Sequence, residues 1–503
     1  MVYEQFAGYE KGIVIKMLVV KLNEMQFEYD IHSLVKAFYP GVDVKVLEKS
    51  TEKQSEEGMP EFEIEFQSAS ISFYICENDE IKHERQVVLS KPESRPDVKN
   101  DLKQLIYGSL SEYLNKELPW GTLTGIRPTK IPMTLLEEGK SEEEILEYMK
   151  EVYKISDEKG NLSLEIAKRE KELLSKLHYK DGYSLYIGIP FCPTTCLYCS
   201  FTSYPICVWK DKMDDYLTAL EKEMEATAEI MKGKILDTVY IGGGTPTTLE
   251  AIELDRLLTK VKENFDLSHI TEFTVEAGRA DSITKEKLEV LYKHGITRIS
   301  VNPQTMKEET LKLIGRQATA AQTVEAFKMA REMGFDNINM DIILGLPGET
   351  EEDVTCTIEK IKELRPDSLT VHSLAIKRAS KLSQWIEKNG IKTLNNTEKT
   401  MEIAAEGAKA MGLEPYYLYR QKNMSGNFEN VGYAEEGKFG IYNILIMEEK
   451  QSIVACGAGT ISKRVYQDGR IERCDNVKDV AGYIERIEEM IERKRALFAV
   501  SCK

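Results

Sequence analysis

Short runs in which apolar and polar positions alternate dominate the first part of the chain. Ile13–Leu22, Val42–Leu47, Glu61–Phe66, Ser70–Cys76 and Gln86–Leu89 have the period of half-buried strands, and polar turns separate them. One helix-like stretch, Asp30–Phe38, lies among them. Residues 1–95 therefore predict a small α+β module. From 96 to 180 the period becomes helical, and Asp97–Lys116 places Leu102, Leu105, Ile106, Tyr113 and Leu114 on one face. The Pro- and Gly-rich stretch from Leu118 to Pro128 interrupts this helical region as a structured loop.

Between 181 and 395, strand-like and helix-like segments alternate. The strands are Ser184–Ile189, Asp237–Ile241, Glu272–Glu276, Arg298–Val301, Asn337–Leu344 and Ser368–Leu374, with amphipathic segments such as Met213–Met231 and Ser282–His294 between them. Such alternation predicts an α/β fold of parallel strands joined by crossover helices. The near-continuous apolar run Ile338–Leu346 suits a strand covered on both faces. Six units, not eight, predict a partial (βα)6 barrel. Residues 396–503 read as a C-terminal α+β cap, with a helix at Glu398–Met411, strands at Tyr416–Gln421, Gly440–Met447 and Ser452–Cys456, and a charged terminal helix at Asn476–Ala496.

Composition narrows the setting. No apolar run approaches the ~20 residues of a membrane span, and Met1-Val2-Tyr3-Glu4-Gln5 carries no basic leader, so the expectation is a cytoplasmic protein. The formal net charge is −17, from 84 acidic and 67 basic side chains, which argues against a global nucleic-acid footprint. Nine cysteines, six of them scattered, do not form a secreted disulfide framework.

The other three are clustered. Ile189-Pro190-Phe191-Cys192-Pro193-Thr194-Thr195-Cys196-Leu197-Tyr198-Cys199 follows the first strand of the repeat and has the spacing C-x3-C-x2-C. Three thiolates on a 4Fe–4S cubane leave one iron without a protein ligand. S-adenosylmethionine (SAM) can chelate that iron, and the cofactor pair then supplies radical chemistry. Zinc asks for four ligands, and none of the six histidines lies near the triplet.

A second signal ends the second strand. In Tyr240-Ile241-Gly242-Gly243-Gly244-Thr245-Pro246-Thr247, glycines let backbone approach a ligand without a Cβ in the way. This is no Walker loop: no Gly-Lys-Ser/Thr follows it, and Gly139-Lys140-Ser141 has Thr134 where the motif's first glycine belongs. Ligand sites gather at the C-terminal ends of parallel strands. Glu276, Gln304, Arg316 and Asp341 all map near that address.

Together these residues resemble the oxygen-independent coproporphyrinogen III oxidase family of radical SAM enzymes over residues 183–465, and the layout is most similar to its HemZ-type branch. The resemblance implies cluster ligation by Cys192, Cys196 and Cys199, with Tyr186, Tyr198, Gly243 and Glu276 around the cluster-bound SAM. Gly244, Thr245, Gln304, Arg316, Asp341 and Ala375 match a second SAM site of the oxidase proper, and Ile461 matches a further contact. One cluster and one or two molecules of SAM are thus implied, with an electron donor such as flavodoxin or ferredoxin. The implied reaction converts coproporphyrinogen III propionates to vinyl groups through a 5′-deoxyadenosyl radical. Arg420, Lys422, Lys377 and Arg378 are candidate partners for the substrate's carboxylates. The alternatives are a haem-trafficking protein on the same scaffold, or a radical SAM enzyme such as a methyltransferase with another substrate.

Departures from the family pattern are local. Phe201 stands where the oxidase proper has a fourth cysteine, as in the family's haem-chaperone branch, and Gly188 stands where the oxidase has a histidine. The segment Gly440–Ile446 lacks the His and Trp of the chaperone branch's His-Asn-x-x-Tyr-Trp.

Replacing Cys192, Cys196 or Cys199 by Ala removes one of three thiolates and is expected to abolish cluster retention. Cys207→Ala and Cys356→Ala, at positions without ligand spacing, are expected to keep it. Iron and sulfide analysis after anaerobic reconstitution reads the difference, and full iron in Cys196→Ala refutes the assignment.

Overall fold

A computed structural model describes residues 16–201, 203–377, 380–390, 394–421 and 428–499. The predicted strand start at Ile13–Ile15 and the candidates Arg378 and Lys422 lie outside the described residues. The chain forms two compact units, one built mainly on the first 168 residues and one carrying the strand–helix repeat.

In the first unit β1 (Met17–Leu22), β2 (Asp43–Glu48), β3 (Glu61–Phe66), β4 (Ser70–Glu77) and β5 (Glu80–Val88) form one sheet in the order β2-β1-β3-β4-β5. The pairings of β1 are parallel and those of β4 antiparallel. Strand β3 shows why: Phe62, Ile64 and Phe66 turn inward while Glu61, Glu63 and Glu65 alternate with them. Lys49 Nζ bridges Glu63 and Glu65 on the polar side, at 3.0 and 2.6 Å. Phe62 meets Phe73 with ring centroids 5.5 Å apart, and Leu34, Phe38, Leu102 and Ile106 from helices Glu28–Phe38 and Arg95–Leu114 complete this core. The second of these helices, which the sequence reading set in a separate helical region, packs into the α+β core. Ser141 caps helix Glu142–Tyr153, its Oγ accepting from the Glu144 N–H at 3.2 Å, so the Gly-Lys-Ser tripeptide serves a helix start.

The second unit is built on one eleven-stranded sheet. Its centre is β6 (Gly182–Ile189), β9 (Ile235–Gly243), β10 (Glu272–Gly278), β11 (Arg298–Val301), β12 (Ile338–Leu344) and β13 (Ser368–Ser373), all parallel and adjacent in that order. Helices such as Met213–Ile230, Ala251–Asn264 and Glu351–Leu364 make the crossovers. Between β6 and β9, two-residue strands β7 (Phe191–Cys192) and β8 (Tyr204–Pro205) pair and bracket the remaining two cysteines of the triplet.

The C-terminal residues continue this sheet at both edges. β14 (Glu414–Tyr419) and β15 (Asn430–Ala434) add antiparallel beyond β13. β16 (Ser452–Cys456) adds parallel to β6, followed by the antiparallel β17 (Ile461–Val465) and β18 (Ile471–Asp475). Two sequence expectations fail in this region. Gly440–Met447 is not a strand: Ile441–Glu448 is a helix whose Tyr442, Leu445 and Glu448 share a buried face, and the Glu272 carboxylate accepts its first N–H at 2.5 Å. Its uniform apolarity hid the helical period. The charged terminal helix is two helices, Val480–Glu485 and Ile487–Phe498, broken at Arg486.

Phe73→Ala leaves a cavity opposite Phe62. It is expected to cost about 3–5 kcal/mol, read as a lowered denaturation midpoint of the full chain.

Candidate functional site

The cysteine loop leaves the C-terminal end of β6 and is fastened by backbone. The Leu197 N–H donates to Ile314 O at 2.9 Å, and Thr194 Oγ1 donates to Gly315 O at 2.8 Å. Arg279, buried just past β10, donates to Thr194 O and Oγ1 at 3.0 and 2.8 Å and lies 3.9 Å from Cys196 Sγ. Asp281 fixes that guanidinium at 2.9 and 2.6 Å. Burial pushes the Cys192 and Cys199 thiols up, and the neighbouring cysteines add to the rise, whereas Arg279 acts against it at Cys192 and Arg316 at Cys199. Three thiols in one cationic setting fit an anionic thiolate cluster. Among the described residues no three side chains converge on a single metal ion, as zinc requires. A cubane, by contrast, presents its irons at separate corners and spreads its thiolates.

The glycine loop after β9 lies directly on this segment. The Gly244 and Thr245 N–H groups donate to Ile189 O and Phe191 O at 2.8 and 2.7 Å, and Thr245 Oγ1 sits 3.5 Å from Cys192 Sγ. A Cβ on Gly244 would stand 2.5 Å from Phe191 O and 3.0 Å from Cys192 Sγ, so no side chain fits there. Gly243 has φ 111°, and its N–H donates to the Glu276 carboxylate.

Glu276 lies towards the C-terminal end of β10. Burial pushes its carboxyl up to about 7, the Asp341 charge adds to this, and hydrogen bonds from Tyr240 and the Gly243 N–H oppose it. Tyr240 belongs to a stack: its ring lies 4.4 Å from Tyr442 and 6.1 Å from Tyr186. On β12, Asp341 accepts from Asn339 at 2.7 Å and faces His372 of β13 at 3.9 Å. Burial acts to raise the Asp341 carboxyl, but His372 and Asn339 outweigh it and hold it below the ordinary range. The Tyr419 hydroxyl reaches His372 Nδ1 at 3.5 Å.

The connection after β11 carries polar atoms that lack protein partners. Asn302 Oδ1, Gln304 Oε1 and Arg316 Nε are buried with no hydrogen bond. Gln304 also has φ 66°, and its backbone joins β12 through Gln304 N–H to Asp341 O and Ile343 N–H to Gln304 O, both at 2.9 Å. Arg316 donates to Asn302 O and approaches the Tyr198 hydroxyl at 3.4 Å. Unpaired buried groups cost of order 1–3 kcal/mol each, so this cluster fits a polar ligand that pairs them.

A profile of the Radical SAM superfamily matches residues 186–361. The chain is 43% identical to the oxygen-independent coproporphyrinogen-III oxidase-like protein HemZ of Bacillus subtilis, over 81% of this chain and 82% of the relative. It belongs to that radical SAM family. Further matches are the haem chaperone HemW of Lactococcus lactis, 39% identical over 38% of this chain and 49% of HemW, and the structure of the radical SAM coproporphyrinogen III oxidase HemN of Escherichia coli. The latter is 23% identical over 64% of this chain and 72% of HemN, with TM-score 0.49.

Membership in the radical SAM family implies a 4Fe–4S cluster and SAM, and the residues above fit both. Some sequence candidates lie elsewhere. Ile461 begins β17 and is half exposed; it is the preceding Thr460 that packs against β6, its Cγ2 standing 2.5 Å from where a Cβ on Gly188 would be. Thr460 thereby occupies the space that a side chain at position 188 would need. Arg420 is no free surface cation: it is buried, donates to Leu123 O at 2.6 Å and lies over Trp120 at 5.6 Å. Lys377 remains half-buried beyond β13, and burial lowers its ammonium. Sequence reasoning missed Arg279, Tyr240, Tyr442 and His372. A period-2 reading of β10 and β13 would have placed Arg279 and His372 near the mouth, but Tyr442 sits on the misread helix.

Because the folded Glu276 binds its proton up to about pH 7 and an unfolded glutamate only to about 4.5, the native state holds more protons between these values. Its stability is full below the lower value and falls as pH rises through the upper one. Cluster-free Glu276→Gln is therefore expected to gain in melting temperature on wild type from pH 5 to 8. Parallel melting curves refute it.

Proposed function

We propose that the protein oxidatively decarboxylates coproporphyrinogen III propionates to vinyl groups, giving protoporphyrinogen IX in haem biosynthesis. Cys192, Cys196 and Cys199 hold the cluster. Gly243, Tyr186, Tyr198 and Glu276 shape the cavity for the SAM bound to it, and Gly244, Thr245, Gln304, Arg316, Asp341 and Ala375 offer groups for a second SAM. When bound, cluster and SAM supply the radical that removes hydrogen from an unactivated carbon. The chain's own share is to orient the propionate, keep water out and fix charge. Lys377, half-buried beyond β13, is the candidate partner for a propionate carboxylate. The electron donor is a small carrier such as a flavodoxin or ferredoxin. The eight described cysteines are all unpaired, which suits the reducing cytoplasm.

The observation that carries this reading over haem trafficking is the helix Ile441–Glu448. It brings Tyr442 against Tyr240 and Tyr186, where the chaperone branch has a segment bearing His and Trp. Phe201, at the position of the oxidase's fourth cysteine, favours the chaperone and keeps that reading as the alternative.

Reconstituted protein given coproporphyrinogen III, reductant and SAM without oxygen is expected to yield products lighter by two successive losses of carbon dioxide and hydrogen. Lys377→Ala is expected to lower this turnover more than uncoupled SAM cleavage. Intact propionates beside active SAM cleavage, with stoichiometric haem binding, would put haem trafficking first.

A further inference from the structure

Away from the cofactor cradle, the second unit buries a complete ion pair that the chemistry above does not use. Glu223, on helix Met213–Ile230, and Lys494, on helix Ile487–Phe498, are 0% and 1% exposed and lie 2.9 Å apart. Lys494 Nζ also reaches Thr227 Oγ1 at 3.1 Å and Cys456 Sγ at 3.5 Å. Taking two charges out of water is costly, and a buried pair is weak evidence of stabilisation in itself. The arrangement around Glu223 points to another use.

Besides Lys494, the Glu223 carboxylate accepts from the Gly457 N–H at 2.7 Å, Tyr483 OH at 2.6 Å and Asn476 Nδ2 at 2.7 Å. Asn476 Nδ2 donates in turn to Gly457 O at 2.9 Å and Thr460 Oγ1 at 3.3 Å. Tyr216, on the same helix as Glu223, donates to Gly188 O at 2.7 Å and accepts from the Ala458 N–H at 3.2 Å. The turn 457–460 is thereby held on the last residues of β6. A Cβ on Gly457 would fall 2.3 Å from Gly188 O, so the two backbones are in direct contact. One residue further, Ile189 O receives the Gly244 N–H of the glycine loop, and Cys192 follows.

We propose that Glu223 is a positioning residue for SAM: through the turn 457–460 it sets where the end of β6 and the glycine loop on it present their backbone to the cofactor. An acceptor-only carboxylate with four donors around it can hold this turn. A neutral amide cannot, because its NH2 group would face donors. Lys494 stands beside that buried carboxylate as its opposite charge.

Four variants separate positioning from mere stability: Glu223→Gln, Lys494→Met, the double variant, and Asn476→Ala, which loosens the turn while leaving the ion pair in place. SAM affinity is read by titrating the reduced cluster's EPR signal, and exchange of the 457–460 amides is read in cluster-free protein. Neither readout needs a tetrapyrrole, so the outcome stands apart from the coproporphyrinogen assay.

Glu223→Gln is expected to keep full iron but to bind SAM roughly tenfold more weakly, the usual scale for a group that orients a site's ligands. The double variant is expected to regain melting temperature, since no charge is left uncompensated, but not SAM affinity. Asn476→Ala is expected to weaken SAM and speed exchange at 457–460, with a loss of melting temperature from the acceptors it leaves unpaired. Wild-type SAM affinity in both the double variant and Asn476→Ala would overturn the proposal, whatever their thermal stability.

Discussion

The open end of the second unit depends on one close approach: the Gly242–Thr245 backbone lies against the chain leaving β6 with no room for a side chain between. Two short hydrogen bonds, from Gly244 to Ile189 and from Thr245 to Phe191, tie the glycine loop to the segment that carries Cys192. The thiol's position and the cradle's shape are therefore one geometric fact. Tertiary partners reinforce it from two sides. Glu276 receives the Gly243 N–H from below, and Arg279 grips the cysteine loop through Thr194.

Charge distribution follows from the same arrangement. The thiols sit between Arg279 and Arg316, which favours an anionic cluster, while the neighbouring interior is lined by Glu276 and Asp341. SAM carries a sulfonium beside its carboxylate, and a site with guanidiniums close to the thiols and carboxyl groups on β10 and β12 suits that dipolar molecule. The acidic whole-chain charge says nothing of this local order.

The parallel sheet was legible in the sequence because its strands are long, apolar and punctuated. Runs such as Asn337–Leu344 leave only the helix–sheet alternation as a reading. The cysteine triplet and the glycine run were legible because the chemistry constrains spacing as well as residue type. The C-terminal region was not. Ile441–Glu448 is apolar enough to mimic a strand, and its capping partner Glu272 lies 169 positions away. Strands β17 and β18 are short, with alternating charged residues on a solvated face, and they resemble loop or helix in isolation. The burial of Arg420, a candidate partner for the substrate's carboxylates, was not legible because Leu123, which accepts its hydrogen bond, lies 297 positions earlier.

The placement of β16 has a consequence for biogenesis. The strand that launches the cysteine loop is flanked on one side by β9, made soon afterwards, and on the other by β16, made after all the other parallel strands. Ser184 Oγ donates to Gln451 Oε1 at 2.7 Å, a partner 267 positions further along the chain. Until β16 is made, β6 is an edge strand, with an unpaired row of backbone groups and the turn 457–460 still unmade. The cofactor cradle is thus complete only once β16 has paired with β6 and the turn 457–460 has closed on it: a site whose motifs are local in sequence waits for the most distant strand of its sheet.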